Sequence, residues 1–316
     1  MEKLIKNKKI ICYGDIVWDK LYKLYKLYKR DKLYKLYKLS SALRPAGAPL
    51  NVAYHFKKMG VQSYIISYVG NDILGEELLK IIKKWCVDGI FCIVNNVNNK
   101  NNNLPTGKII VDALFQEVSY EIMEPVAWDF IAVEKELSKM IKNTDGFVFQ
   151  SMTARNEKSR KTLHSLLEYS CYKIFDVNLR PPFYSEQIIK ILIEKSDIVK
   201  MSVSELYEIV SWFHSGKFSE EEAVCFLKEC FHLKELLITK GCYGASYYGI
   251  AKLYERRGIT IKVKDTIGSG DAFLSGFLAK KINGNSSEEA IEQAITISAF
   301  VASKEESCTF YEKTPK

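Results

Sequence analysis

Apolar and polar positions alternate between two spacings along the chain. Short runs rich in β-branched and aromatic residues predict strands at Lys9–Val17, Gln62–Val69, Gly146–Phe149, Tyr172–Asn178, Ile198–Met201 and Glu235–Thr239. Between them the spacing lengthens to that of a helix. Over Pro49–Met59, Val52, Phe56 and Met59 share one face, a proline stands in the first turn, and Gly60 supplies a stop. Gly75–Trp85 is the next such helix, and a pair of helices closes the chain. Strands alternating with helices predict an α/β fold with a largely parallel sheet. Lys108–Val111 and Val118–Ile122 are spaced for an antiparallel hairpin outside that sheet, as in a small lid.

Residues 20–39 follow neither spacing. They run as a Lys-Leu-Tyr repeat interrupted by Arg30-Asp31. On a helix, a repeat of three residues slips about 60° per unit, and on a strand it sends successive lysines to opposite faces. Neither element gains one apolar face. The expectation is a repeat expanded in a surface segment that tolerates insertion; a nucleic-acid or membrane surface, a mobile lid and a subunit contact are the alternatives. Asn95–Asn103, with seven asparagines in nine residues, reads as a polar loop.

Composition narrows the class. The chain has 316 residues, 47% hydrophobic and 27% charged, which fits one or two globular domains. No apolar stretch approaches the roughly 18–20 residues of a bilayer span. The apolar patch Ile10–Tyr13 is too short for a signal peptide, so no export signal is read. Residues 20–38 hold eight basic residues against Asp31, and thus +7 of the +8 formal charge. The remainder is nearly neutral, so neither nucleic acid nor membrane is the expected partner. Eight scattered cysteines without a C-x-x-C pair, and four histidines without ligand spacing, suggest reduced thiols in a cytoplasmic protein.

The segment with the clearest chemistry is Asp265-Thr266-Ile267-Gly268-Ser269-Gly270-Asp271, followed by the apolar helical run Ala272–Ala279. Small residues before a helix let an anion approach unpaired N–H groups. Asp271 then falls in the first turn. It is placed either to take a proton from an attacking hydroxyl or simply to cap the helix, and the local sequence leaves both open. A Walker-type loop is absent.

This segment resembles the second signature, D-T-x-G-[AS]-G-D, of the PfkB (ribokinase-like) carbohydrate kinases. Further stretches follow in that family's order. Gly14–Asp19 resembles its first strand with a sugar-binding aspartate, Ala46–Ala53 resembles G-G-A-P-x-N-V-A, and Gly70–Gly75 resembles G-x-D-x-x-G. Asp176–Arg180 resembles D-x-N-x-R and Thr239–Gly244 resembles T-x-G-x-x-G. Trp18-Asp19, Ala127–Asp129, Gln150–Arg155 and Phe175–Tyr184 are similar to bacterial fructokinases of the family.

The resemblance implies a single domain over residues 1–316 with a three-layer α/β/α, Rossmann-like core and a β-sheet lid from about 18–45 and 90–125. It implies ATP-dependent phosphorylation of a hexose's primary hydroxyl, D-fructose foremost, with Mg²⁺ and room for a monovalent cation. Asp271 would be the base, and Gly268, Ser269 and Gly270 would line the anion hole. Asp19, Gly47, Ala48, Asn51, Arg155, Asn178 and Arg180 would face the sugar. Ser202, Glu205, Thr239, Gly241 and Gly244 would serve the nucleotide, with Glu205 reaching the metal through water. A homodimer through the lid is a further implication. Another acceptor (ribose, another ketose, a sugar acid or a nucleoside) and a weakly active sugar-binding regulator are the alternatives.

Three departures stand out. Ser202 occupies the asparagine position of the family's N-x-x-E, and Ala46 replaces the first glycine of G-G. Ser298–Ser307 fits the usual C-terminal pattern poorly, which leaves the adenine pocket unassigned.

Overall fold

The computed structural model describes residues 8–29, 32–85, 87–94, 104–114, 117–132, 135–170, 172–250, 252–312 and 315. The Asn-rich stretch 95–103 lies outside them. The chain begins with β1 (Lys9–Tyr13), β2 (Val17–Lys29), β3 (Lys32–Ala46), α1 (Ala48–Lys58), β4 (Gln62–Gly70), α2 (Ile73–Lys84) and β5 (Asp88–Val94). There follow β6 (Gly107–Leu114), β7 (Glu117–Ile122), α3 (Lys135–Lys142), β8 (Gly146–Gln150), α4 (Glu157–Leu167), β9 (Lys173–Asp176) and α5 (Glu186–Glu194). The rest comprises β10 (Ile198–Ser202), α6 (Val203–Phe213), α7 (Glu220–Phe231), β11 (Glu235–Thr239), β12 (Ala245–Tyr248), β13 (Leu253–Arg256), α8 (Ser269–Ile282) and α9 (Ser287–Ala302).

Among the described residues, nine strands form the main sheet in the order β13-β12-β11-β10-β9-β8-β1-β4-β5. Every pairing from β11 to β5 is parallel, while β12 and β13 add an antiparallel edge. The two-residue alternation of each strand builds a layer on either face. Ile11, Phe149, Phe175, Val199 and Leu236 pack with helices α3 to α7. Their neighbours Ile10, Val148, Ile174, Ile198 and Leu237 pack with α1, α2, α8 and α9. Burial of both faces explains why these strands read as unbroken apolar runs.

The first strand is shorter than the sequence pattern suggests. β1 stops at Tyr13 because Gly14 takes a φ of 143°, where a Cβ would lie 2.6 Å from Thr153. The chain then crosses into a second sheet, ordered β3-β2-β6-β7, which contains the expected hairpin as β6 and β7. The Lys-Leu-Tyr repeat forms the long antiparallel pair β2–β3, whose register sets Lys23 opposite Lys38 and Leu24 opposite Tyr37. Backbone pairing needs no single apolar face, so an element forms that side-chain periodicity does not announce.

The Gly70–Gly75 motif fastens the two sheets together. Asp72 caps α2 by accepting the Gly75 N–H at 2.8 Å, and it also accepts the Thr106 N–H and hydroxyl at 2.8 and 2.7 Å. The α2 helix therefore starts at Ile73, ahead of the expected Gly75. A Cβ on Gly75 would lie 2.3 Å from the Gly70 carbonyl, so the clamp needs glycine there.

Candidate active site

The chain reverses its direction of travel across the sheet at β1, which has β4 on one side and β8 on the other. Crevices at such switch points, beyond the carboxyl ends of the strands, are where α/β sheets bind ligands. A polar cleft opens there. Asp15 follows β1, Gln150 ends β8, Asn178 and Arg180 follow β9, and Lys200 rises from β10, all lining this cleft.

The N-terminus of α8 closes the cleft from above. Gly268 caps the helix at φ 77°, where a Cβ would lie 2.4 Å from that of Ser307. Gly270 leaves room beside Lys200, whose Nζ would be 3.0 Å from a Cβ at that position. Asp271 is buried in the first turn and accepts a hydrogen bond of 2.7 Å from Asn51 Nδ2. The C-terminal segment fixes that amide, because Asn51 Oδ1 accepts from Ser307 Oγ at 3.1 Å and Cys308 Sγ at 3.3 Å.

Burial raises all three acids that line the cleft. Burial, then the charge of Asp176, pushes Asp271 up to about 7, while Lys200 and the Asn51 hydrogen bond hold it from rising further. A carboxyl group titrating there is poised to accept a proton near neutrality. Burial, then Asp15, raises Asp19 to about 7, and burial raises Asp15 to about 6. Burial alone would lower Lys200, yet Asp176, Glu205 and Asp271 together raise it. It therefore stays a cation, 2.9 Å from Asp176.

Most of the expected residues converge. Asp19, Gly47, Ala48, Asn51, Asn178, Arg180, Gly268, Gly270 and Asp271 line the polar cleft. Gly47 has φ 116°, and a Cβ there would strike the Asp15 carbonyl at 2.3 Å. Ala46 raises no such conflict: among the described residues only Asn178 and His232 combine a side chain with positive φ, and the Ala46 methyl is buried in the core.

Ser269, Gly270, Thr239, Gly241 and Gly244 line a second, more apolar cleft, which also includes Ile259, Ile261 and Val263 together with Ile295 and Ala299 of α9. Its lining includes Ser298, Ala299 and Ala302 from the C-terminal stretch that fits the family pattern poorly. Thr266 and Gly270 border both clefts, so the glycine loop stands at their junction.

Three expected residues lie in neither cleft. Arg155 is instead locked on Asp129 by contacts of 2.6 and 2.7 Å and also donates to the Met123 carbonyl. Ser202 and Glu205 cap α6 reciprocally, and Glu205 also accepts the Leu179 N–H at 2.8 Å. In the polar cleft the sequence reading assigned no role to Asp15, Gln150 and Lys200, nor to Ile109, Ile122, Met152, Thr266 and Ile267. Lys200 left a signal in the sequence, a lone charge inside an otherwise apolar strand.

The layered sheet, the second sheet beside it and a glycine loop joining two clefts make up the ribokinase-like fold. The chain belongs to the pfkB family carbohydrate kinases, which it matches over residues 7–314, and it is a carbohydrate kinase. It is 28% identical to the ATP-dependent 6-phosphofructokinase of Thermoanaerobacterium thermosaccharolyticum, over 80% of this chain and 77% of that one. It is 30% identical to the probable chloroplastic fructokinase-6 of Arabidopsis thaliana, over 79% of this chain and 66% of that one. A solved fructokinase from Vibrio cholerae O395, bound to fructose, ADP and calcium ion, superposes with a TM-score of 0.74 at 22% identity, covering 96% of this chain and 95% of that one.

Proposed function

We propose that the protein transfers the terminal phosphoryl group of ATP to the primary hydroxyl of D-fructose, giving fructose 6-phosphate. The observation that carries this reading is the position of Asp271, a buried carboxyl raised to about 7 that lines the polar cleft next to Gly270, which borders both clefts. The apolar cleft suits a nucleobase and the polar cleft a sugar. In-line transfer across the loop places the acceptor hydroxyl beside Asp271, which takes its proton. The N–H groups of Gly268, Gly270 and Asp271 would face the charge on the moving phosphoryl, with Lys200 beside them, while the Ser269 N–H donates to the Thr266 carbonyl at 3.2 Å.

Asp19, Asn51, Asn178 and Arg180 would orient the sugar, and Gly47 and Ala48 would allow its close approach. Thr239, Gly241 and Gly244 would line the nucleotide phosphates. Among the described residues no cluster of three acids, cysteines or histidines could hold a metal by itself. Magnesium would be carried on the nucleotide phosphates, whereas Glu205, whose carboxylate accepts from the Leu179 N–H and from Ser202, would act by holding those two segments. When bound, magnesium neutralises phosphate charge. The solved fructokinase with fructose, ADP and calcium ion supports this pairing of sugar, nucleotide and divalent ion. The second sheet would act as the lid that excludes water, and a homodimer would form through it.

The test is coupled ADP release with magnesium-ATP over a panel of ketoses, aldoses, sugar acids, nucleosides and sugar phosphates. Fructose should give the highest kcat/KM. Turnover confined to another acceptor would replace fructose in this reading, and ADP release with none would remove it.

A further inference from the structure

Asp15 has no part in the chemistry described above, yet it lines the polar cleft and is only 5% exposed. Its Oδ1 is buried with no hydrogen-bond partner among the described residues. Other polar groups of the cleft are engaged: Asp271 with Asn51, Lys200 with Asp176, and Asn178 with Gln150. A buried oxygen left unmatched beside a binding cleft is the mark of a group whose partner is the ligand.

Asp15 reaches the cleft from the turn after β1: a Cβ on its neighbour Gly14 would lie 2.6 Å from Thr153, and one on Gly47 would lie 2.3 Å from the Asp15 carbonyl. Asp271 enters from the first turn of α8, where it is tied to Asn51 at 2.7 Å. The two acids thus line the cleft from different elements.

Resting on the kinase reading above, we propose that Asp15 accepts a hydrogen bond from one of the hydroxyls of the acceptor. It thereby selects neutral polyhydroxy acceptors over those carrying a phosphate in place of that hydroxyl. A carboxylate only accepts hydrogen bonds, which suits a hydroxyl donor and opposes a phosphate oxygen. A phosphate would add nearly two negative charges beside Asp15 and Asp19. Of the nearby cations, Arg155 is held by Asp129 through Nε and Nη2 and lies outside the cleft, its Nη1 unmatched among the described residues, so within the cleft Arg180 would face that charge against two carboxylates. Because one relative is named a 6-phosphofructokinase, the choice between neutral and phosphorylated acceptors is a real one for this chain.

The experiment compares the full-length protein with Asp15→Asn and Asp15→Ser, using fructose, its single-position deoxy analogues and fructose 6-phosphate. Loss of one charge-assisted hydrogen bond should raise the fructose KM by about 10- to 100-fold, with kcat and the ATP KM within about twofold. The deoxy analogue lacking the hydroxyl that Asp15 reads should show the same KM with wild type and variants. A KM that does not move, a penalty equal across all analogues, or efficient use of fructose 6-phosphate by the wild type would each overturn the proposal while leaving the kinase reading intact. If the wild type turns over no acceptor, calorimetric titration of the same sugars into wild type and variants replaces the assay. Weaker binding of fructose alone by the variants then supports Asp15, and equal or absent binding overturns it.

Discussion

Asn51 and Asp271 are 220 residues apart in the chain and 2.7 Å apart in the fold. The contact joins the start of α1 to the start of α8. The Asn51 amide favours the charged form of Asp271 and is one of the groups holding its pKa near 7. Replacing Asn51 with leucine removes the donor, so the pKa should rise by about one unit or more. The base is then protonated over a wider range. The acidic limb of the kcat/KM profile should shift to higher pH by the same amount, measured from pH 5 to 9. A limb that stays in place would show that Asp271 is not the titrating group.

Asp271→Asn keeps the shape and removes the base. Turnover should fall by about 10²- to 10⁴-fold, the usual range for general-base loss, while calorimetric fructose binding stays within a few-fold of wild type. Stability supplies a second readout. The folded state raises this carboxyl from 3.8 to about 7, so its stabilising contribution is full below pH 4 and is lost as pH climbs through 7. The variant should therefore melt above the wild type at pH 8, with the gap closing toward pH 4. A variant that melts lower at pH 8 would contradict the burial of this charge.

The parts of the fold legible in the sequence are those where one local period decides the outcome. The strands Gln62–Val69 and Glu235–Thr239 and the helix Pro49–Met59 are found within a residue or so of their expected limits. Gly268, Gly270 and Asp271 were readable because a helix start, small residues and an acid lie together in the chain. What stayed hidden is set by contacts remote in sequence. The capture of Arg155 by Asp129 depends on how the short 3₁₀ turns Ala127–Phe130 and Ser151–Ala154 meet, and no spacing encodes that meeting. The apolar pocket draws on α9 and on residues 258–263, which form no regular element. The strands of the Lys-Leu-Tyr repeat are held by backbone pairing, which side-chain periodicity cannot report.

Arg155 is expected to support the fold rather than catalysis. Its side chain is 3% exposed and that of Asp129 is 2%, and the guanidinium lies 4.0 Å from the centre of the Trp128 ring. Arg155→Met leaves a buried carboxylate without its partner. Removing one member of such a pair costs about 3–5 kcal/mol, which urea unfolding would register. Pairing it with Asp129→Asn should recover part of the loss. The fructose KM of the folded double variant should match the wild type. A large KM change without loss of stability would return Arg155 to the sugar site.

The far half of the β2–β3 hairpin is expected to be dispensable. Parallel pairing of β2 with β6 ends at Lys23 opposite Ala113, whereas β2 and β3 pair on to Lys29 opposite Lys32. Among the described residues the ribbon beyond residue 23 is thus two strands wide, and isolated two-stranded ribbons contribute little stability. Its backbone register sets Lys26 opposite Lys35. Residues 24–37 can be replaced by an Asn-Gly turn that joins Lys23 to Lys38 in the same register. The shortened protein should unfold within about 0.5 kcal/mol of the wild type, because the sheet positions bordering the cleft keep their partners. The fructose KM should likewise change by less than about threefold, a shift under the 1.4 kcal/mol of a tenfold change. If the excision instead raises KM tenfold or increases ADP release without sugar, the repeat itself takes part in closing the site. Water exclusion would then depend on strands that only the second sheet supplies.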